Sequence, residues 1–216
     1  MLMYPELDNL SLPDLVKRFL GSRPYEEEDG DGVIYYTELA LRIIKYTQEG
    51  LQFLLDSANN CNVGQLRSIL VAISYPPCIN DLRIDHIIES CLDDPQPIII
   101  AEAIDALACR NKADLIHRVL SLRSHPCEYV RGSVLRFICK LYPQQALSLL
   151  LDALHDPHYI VRESAIDELD NLGDVTAIPA IEMLMTDPEA DVRAAAVTAI
   201  ENLTDRLRHP EDYLED

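Results

Sequence analysis

Three arginines recur every 31 residues, Arg131, Arg162 and Arg193, and two of them lie six residues after an aspartate, Asp156 and Asp187. Two chemistries suit such a set. Evenly spaced guanidiniums can form an anion-binding row, or each can pair with a carboxylate of its own or a neighbouring segment. The fixed interval and the local acids favour pairing. His155 and His158 beside Asp156 raise the question of an acid/base pair, but no nucleophile or second carboxylate is arranged around them, so no catalytic residue is assigned. The six cysteines, Cys61, Cys78, Cys91, Cys109, Cys127 and Cys139, are well separated and contain no C-x-x-C pair. They read as reduced thiols, several of them buried, and no metal site or cofactor is expected.

The elements that position these residues follow from an internal repeat. Pro95, Pro126, Pro157 and Pro188 each stand 31 residues from the next, and the segments aligned on them, from DDPQPIIIAEAIDAL to TDPEADVRAAAVTAI, need no gap. Apolar residues fall 4, 8, 9 and 12 places after each proline, as in Val161, Ala165, Ile166 and Leu169, which traces one face of a helix. A second stripe follows in each full unit: Leu115, Ile116, Val119 and Leu122; Ala146, Leu147, Leu150 and Leu154; Ile178, Ile181, Leu184 and Met185. Asn111, Pro143 and Gly173 punctuate the breaks between the stripes. Each unit is therefore expected to be a helical hairpin, with the Asp-Pro proline in the first turn and the aspartate capping it. One small hairpin leaves too much apolar stripe in water, so stacking is obligatory.

The run D-P-x-x-x-V-R-x-x-A-I, complete in DPHYIVRESAI and nearly so in DPEADVRAAAV, resembles the HEAT repeat, in particular its short bacterial, phycobilisome-lyase HEAT-like type. The resemblance covers residues 94–203. It departs at His125, which replaces the aspartate, and at Ile100, which replaces the arginine. It implies an all-α fold, a right-handed α-solenoid of stacked hairpins with a 31-residue period. It also implies an Asp/Arg ladder between units, here Asp94, Arg131, Asp156, Arg162, Asp187 and Arg193.

Residues 1–33 read as a leading helix, capped by Ser11 with Pro13 in its first turn, and an acidic loop. Residues 34–93 read as divergent hairpins packed on the array. Residues 204–216 read as an acidic tail, with Leu207, Tyr213 and Leu214 available to fold over the last unit; all of these belong to one continuous structural domain. The acidic run Glu26 to Asp31 is expected to be a solvated loop. It is no EF-hand, because counting from Asp29 puts Val33 and Ala40 where oxygen ligands are needed. Of Tyr35 and Tyr36, one ring is expected in the core and the other at a rim, with packing the favoured role for both.

Charge narrows the function. With 37 acids against 18 Lys and Arg, the net charge is −19, which opposes nucleic acids and anionic membranes and suits a basic protein partner. No stretch of about 18 apolar residues offers a membrane span, and the opening MLMYPELDNLSLPDLV lacks the basic region of a secretory signal. A cytoplasmic location is the expectation. Helical periodicity makes Asp114, His117, Arg118, Ser121, Gln145, Ser148, Leu149, Asp152, Pro179 and Met183 the outward positions of the second helices, the concave side of a solenoid. These differ from unit to unit, as partner-reading positions do.

Three functional classes follow. The favoured one is a non-catalytic scaffold or adaptor that presents a helical groove to another protein, with an immunity-type inhibitor of a basic protein as one form. A second is a bilin-handling factor similar to the E/F-type phycobilin lyases, and a third a nucleic-acid enzyme similar to the HEAT-like DNA glycosylases. The acidic balance opposes the last, and the sparse aromatic supply without tryptophan weakens the second. A second copy of the chain, covering a terminal edge, is a further candidate partner.

Overall fold

The computed structural model describes residues 3–21, 31–74 and 80–209. Among them are twelve α-helices and no strand. The fold is all-α, an α-solenoid type of stacked helical hairpins. The chain divides into two compact units, Met1–Lys112 and Ala113–Asp216, described separately below.

Unit 1 holds α1 (Leu12–Leu20), α2 (Asp31–Ile43), α3 (Thr47–Ser57), α4 (Val63–Ser74), α5 (Leu82–Ser90) and α6 (Pro97–Cys109). Helix α1 starts where Ser11 Oγ accepts the Asp14 N–H, and its apolar face buries Leu15 and Phe19. The Phe19 ring meets Tyr36 and Phe53 edge-on, with centroids 5.6 and 5.8 Å apart. Tyr35 is buried as well, against Tyr4 at 5.0 Å, so both tyrosines of the pair are core residues and neither sits at a rim. Helix α4 opens with a reciprocal cap, in which Gln65 N–H donates to Asn62 Oδ1 and Asn62 N–H to Gln65 Oε1, both at 2.9 Å. Gly50 is dictated by a close approach: a Cβ there would lie 1.9 Å from the Ile43 carbonyl oxygen.

Two ion clusters, each built around a buried arginine, tie this unit together. Arg42 donates to Asp8 Oδ1 through Nε and Nη2 (3.1 and 2.6 Å) and to Glu38 Oε2 through Nη1 (2.9 Å). Glu38 in turn accepts the Met3 N–H at 2.6 Å, which holds the N-terminal segment on α2. Arg110 donates to Asp85 Oδ1 through Nε and Nη2 (2.8 and 2.6 Å), and Lys112 pairs with the other oxygen of Asp85.

Unit 2 holds α7 (Ile116–Ser121), α8 (Glu128–Leu141), α9 (Pro143–Ala153), α10 (Tyr159–Leu172), α11 (Ile178–Glu182) and α12 (Ala190–Arg208). The first helices of successive repeats, α8, α10 and α12, lie side by side; α9 packs on α8 and α10, and α11 on α12. Val130, Val134, Val161, Ala165, Ile166, Leu169, Val192 and Ala196 form the seam together with Ala146, Leu150 and Ile181 from the second helices. Met185, placed in the second stripe by periodicity, is instead 47% exposed, because the chain tightens into a 3-10 turn over Met183–Thr186.

The Asp-Pro pairs act one step earlier than the sequence suggests. The four first helices begin at Pro97, Glu128, Tyr159 and Ala190, two residues after each repeat proline, so that proline lies in the preceding turn and not in the first helical turn. Each aspartate accepts the N–H two residues on: Asp94 from Gln96 (2.8 Å), Asp156 from His158 (2.8 Å) and Asp187 from Glu189 (2.9 Å). This is an Asx turn, with proline supplying the fixed φ at its second position. His125, where the aspartate is missing, does the same work: its Nδ1 accepts the Cys127 N–H at 3.0 Å.

Asn111 and Gly173 both take a left-handed conformation, at φ 56° and 71°, and so end α6 and α10. Helix α12 runs on for 19 residues, against 13 or 14 for α6, α8 and α10. Leu207, in its last turn, is 62% exposed; Tyr213 and Leu214 lie outside the described residues. So does the acidic run apart from Asp31, which is the first residue of α2 and not part of a loop.

Candidate functional site

The three repeat arginines occupy one structural position. Arg131 Nε and Nη2 donate to Asp156 Oδ2 and Oδ1 at 2.8 and 2.7 Å, and Nη1 donates to the carbonyls of His125 and Pro126. Arg162 repeats the geometry, with Nε and Nη2 both 2.8 Å from the two oxygens of Asp187 and Nη1 on the Asp156 and Pro157 carbonyls. Each guanidinium thus bridges the turn of its own repeat to the aspartate of the next, through a two-bond fork. That edge is filled by a carboxylate in both residues and so is not offered to an outside anion. Arg193 holds its own turn, with Nη1 2.7 Å from the Asp187 carbonyl and 2.9 Å from that of Pro188. Asp94 stands outside this series, its described hydrogen bond being the one to Gln96.

The electrostatics follow from the pairing. Burial pushes the Asp156 carboxyl up, but the hydrogen bonds and charge of Arg131, together with the His158 amide, outweigh it and leave the group below its ordinary value. For Asp187 the Arg162 hydrogen bond is the main influence and lowers it despite burial. The two arginines are raised in return, chiefly by those same aspartates.

His158 is likewise engaged. Its Nδ1 accepts the Ile160 N–H at 3.4 Å, its ring stacks on Tyr159 at 5.1 Å, and its Nε2 is 3.8 Å from Glu128. His155 lies exposed against the Leu151 carbonyl. The carboxylate nearest to either ring is thus Glu128, beyond direct hydrogen-bond distance of His158 Nε2.

The outward positions of the second helices all fall in unit 2. Asp114, in a 3-10 turn ahead of α7, and His117, Ser121, Gln145, Ser148, Asp152, Pro179 and Met183 are exposed, while Arg118 and Leu149 are half-buried. Ser121 Oγ folds back onto the Arg118 carbonyl at 2.7 Å. Leu149 and Asp152 come together at a cavity of about 230 Å³, whose apolar lining includes Val134, Leu135 and Val161 and whose polar rim includes Arg123, His155 and the Arg131–Asp156 pair. Periodicity does not find Arg123 and His155, because they sit in the turns between repeats, off both helical stripes. Glu182, exposed on α11, is also missed. With Asp114 and Asp152 it sets one exposed carboxylate on each of three successive second-helix segments.

Burial pushes the Cys139 thiol up to about 12 and the Cys61 and Cys91 thiols up to about 11, so these are poor nucleophiles at neutral pH. No group of three His, Cys, Asp or Glu able to hold a metal ion occurs among the described residues. No described helix is long and apolar enough to cross a membrane.

Residues 116–201 match the family model for HEAT repeats. No curated protein matches the sequence. Among solved structures, a designed armadillo repeat protein in complex with the peptide (KR)4 is similar over 90% of this chain and 100% of its own, at 19% identity and a TM-score of 0.53. Two engineered proteins are similar at 17% and 16% identity, with TM-scores of 0.53 and 0.56, over 90% and 91% of this chain and 96% and 99% of theirs. The chain thus has the fold of the HEAT- and armadillo-like helical-repeat proteins, and over residues 116–201 its sequence resembles the HEAT repeat.

Proposed function

We propose that the protein is a non-catalytic interaction scaffold whose second-helix face in unit 2 binds a basic, Lys/Arg-rich segment of another protein. The carrying observation is that each of three successive second-helix segments exposes a carboxylate, Asp114, Asp152 and Glu182, at differing registers, in a chain with net charge −19. Carboxylates spread over successive segments attract the several cations of an extended basic peptide, and the overall field steers such a partner inward. The designed armadillo protein similar in fold is in complex with a Lys/Arg peptide, which supports this partner chemistry. The complete Asp-Pro and Val-Arg motif supports the short bacterial, phycobilisome-lyase HEAT-like subtype within the repeat class.

The test is fluorescence anisotropy of a labelled (KR)4 peptide titrated with the intact protein. Binding at low salt that weakens as salt rises, and that falls about tenfold in an Asp152→Lys, Glu182→Lys double variant, is the expected result. Failure to bind at low salt, or equal binding of an oligo-glutamate peptide, overturns the reading.

A further inference from the structure

In unit 2, one face of α8 and of α10 carries the contact to the next first helix, at 5, 9 and 13 places after the repeat proline. In α8 these residues are Arg131, Leu135 and Cys139. Arg131 holds Asp156, Leu135 is 4% exposed, and Cys139 Sγ donates to the Glu168 carbonyl of α10 at 3.4 Å. In α10 they are Arg162, Ile166 and Asp170. Arg162 holds Asp187, Ile166 is 0% exposed, and Asp170 Oδ2 accepts from Asn202 Nδ2 of α12 at 2.6 Å.

In α12 the same positions are Arg193, Val197 and Glu201, and no described repeat follows. Val197 is 40% exposed where its counterparts are covered. Arg193 binds its own turn through Nη1, and the Nε/Nη2 edge that takes a carboxylate in Arg131 and Arg162 meets no acceptor among the described residues. Glu201 is exposed and likewise has no partner among them. Ala190 and Ala194, both exposed on the same helix, add little bulk to the face.

From this geometry we infer that the α12 face is a self-association surface, covered by a second copy of the chain. Val197 stands midway between Arg193 and Glu201, four residues from each, about 6 Å along the helix in either direction. A two-fold axis through Val197 therefore sets two α12 helices antiparallel, with Arg193 of each copy opposite Glu201 of the other. The open guanidinium edge gains the carboxylate that the preceding repeats take from within the chain, the pairing forms twice, and the two valines meet between the pairs. The face is thus complementary to itself in charge, and this rests on different residues from the peptide-binding proposal.

Sedimentation velocity over a concentration series decides it. The intact protein should show a monomer–dimer equilibrium that shifts toward monomer as salt rises. Glu201→Arg, a change at an exposed residue, should weaken dimerisation at least about tenfold with helix content unchanged by circular dichroism. Adding Arg193→Glu in the same chain should restore it, because the swapped charges again oppose each other. A monomer at every concentration overturns the inference, as does a dimer indifferent to Glu201→Arg. A monomer that begins to dimerise once residues 210–216 are removed would show that the chain covers its own edge, and would also overturn it. If the double variant fails to fold, Glu201→Arg alone still decides.

Discussion

Arg162 and Asp187 face each other edge to edge, Nε to Oδ2 and Nη2 to Oδ1 both at 2.8 Å, with side chains 12% and 4% exposed. Removing the arginine leaves a largely buried carboxylate without its main donors. Arg162→Ala should therefore cost about 3 kcal/mol, seen as a lower thermal midpoint, while affinity for a basic peptide in the folded protein stays unchanged. Arg162→Lys keeps the charge but loses the fork, and its midpoint should fall between the two. Loss of peptide binding in a folded Arg162→Ala protein would move this residue from the frame to the binding surface.

Acid should unfold the protein through its paired carboxylates. Asp85, Asp156 and Asp187 all titrate below their ordinary value of 3.8 in the folded chain. A group depressed on folding adds stability that is fully present above the unfolded value and disappears as pH falls through the folded one. The melting midpoint should therefore hold as pH is lowered toward the ordinary carboxylate range and drop steeply below 3.8. In Asp187→Asn part of that drop should be missing.

Like charges act with the opposite sign on α10. Asp167 titrates above its ordinary value through burial and the neighbouring Glu168 and Asp170, and Glu163 does so through burial, Asp167 and Asp191. A carboxyl raised on folding weakens the native state once pH exceeds its folded value, and the penalty fades as pH falls below it. Asp167→Asn should accordingly raise the thermal midpoint slightly at neutral pH, a stabilisation of about 0.5 kcal/mol or less because solvent screens this only partly covered carboxyl. The gain over wild type should vanish below the ordinary carboxylate range.

Gly50 admits no side chain. A Cβ at this position would sit 1.9 Å from the Ile43 oxygen and 2.8 Å from its carbonyl carbon, and backbone cannot give way as a flexible side chain would. Gly50→Ala should cost about 3 kcal/mol or more. The corresponding change at Gly132, where the nearest atom is Ser164 Oγ at 3.4 Å, should be tolerated. Chemical denaturation of the two variants side by side makes the comparison.

The sequence discloses these features unevenly, and for physical reasons. The helical hairpins of unit 2 are legible because stacking forces the same faces to be apolar at the same register, and Ser11 is legible as a cap because capping is local. The place of the repeat prolines is misread by one turn, since an Asx turn and a helix N-terminus draw on the same residue types. Arg42 gives no hint that it will hold Asp8, 34 residues away, nor Arg110 that it will find Asp85; periodicity reports which face a residue is on, not what it will meet there. Arg123 is missed for a related reason, because the rim of the cavity it lines is assembled from turns that no helical period describes, whereas Glu182 lies on α11 itself, next to the outward position Met183.

The two forks of unit 2 each join residues exactly one fixed stretch apart, 25 positions from arginine to aspartate. This constrains how the chain can change length. Inserting or deleting a single residue inside α8 or α9, between Arg131 and Asp156, rotates the apolar stripe beyond it by about 100°, whereas copying or excising a whole 31-residue block keeps the arginine-to-aspartate interval intact. The array is therefore built to grow or shrink in whole modules, while its helices resist smaller changes of length.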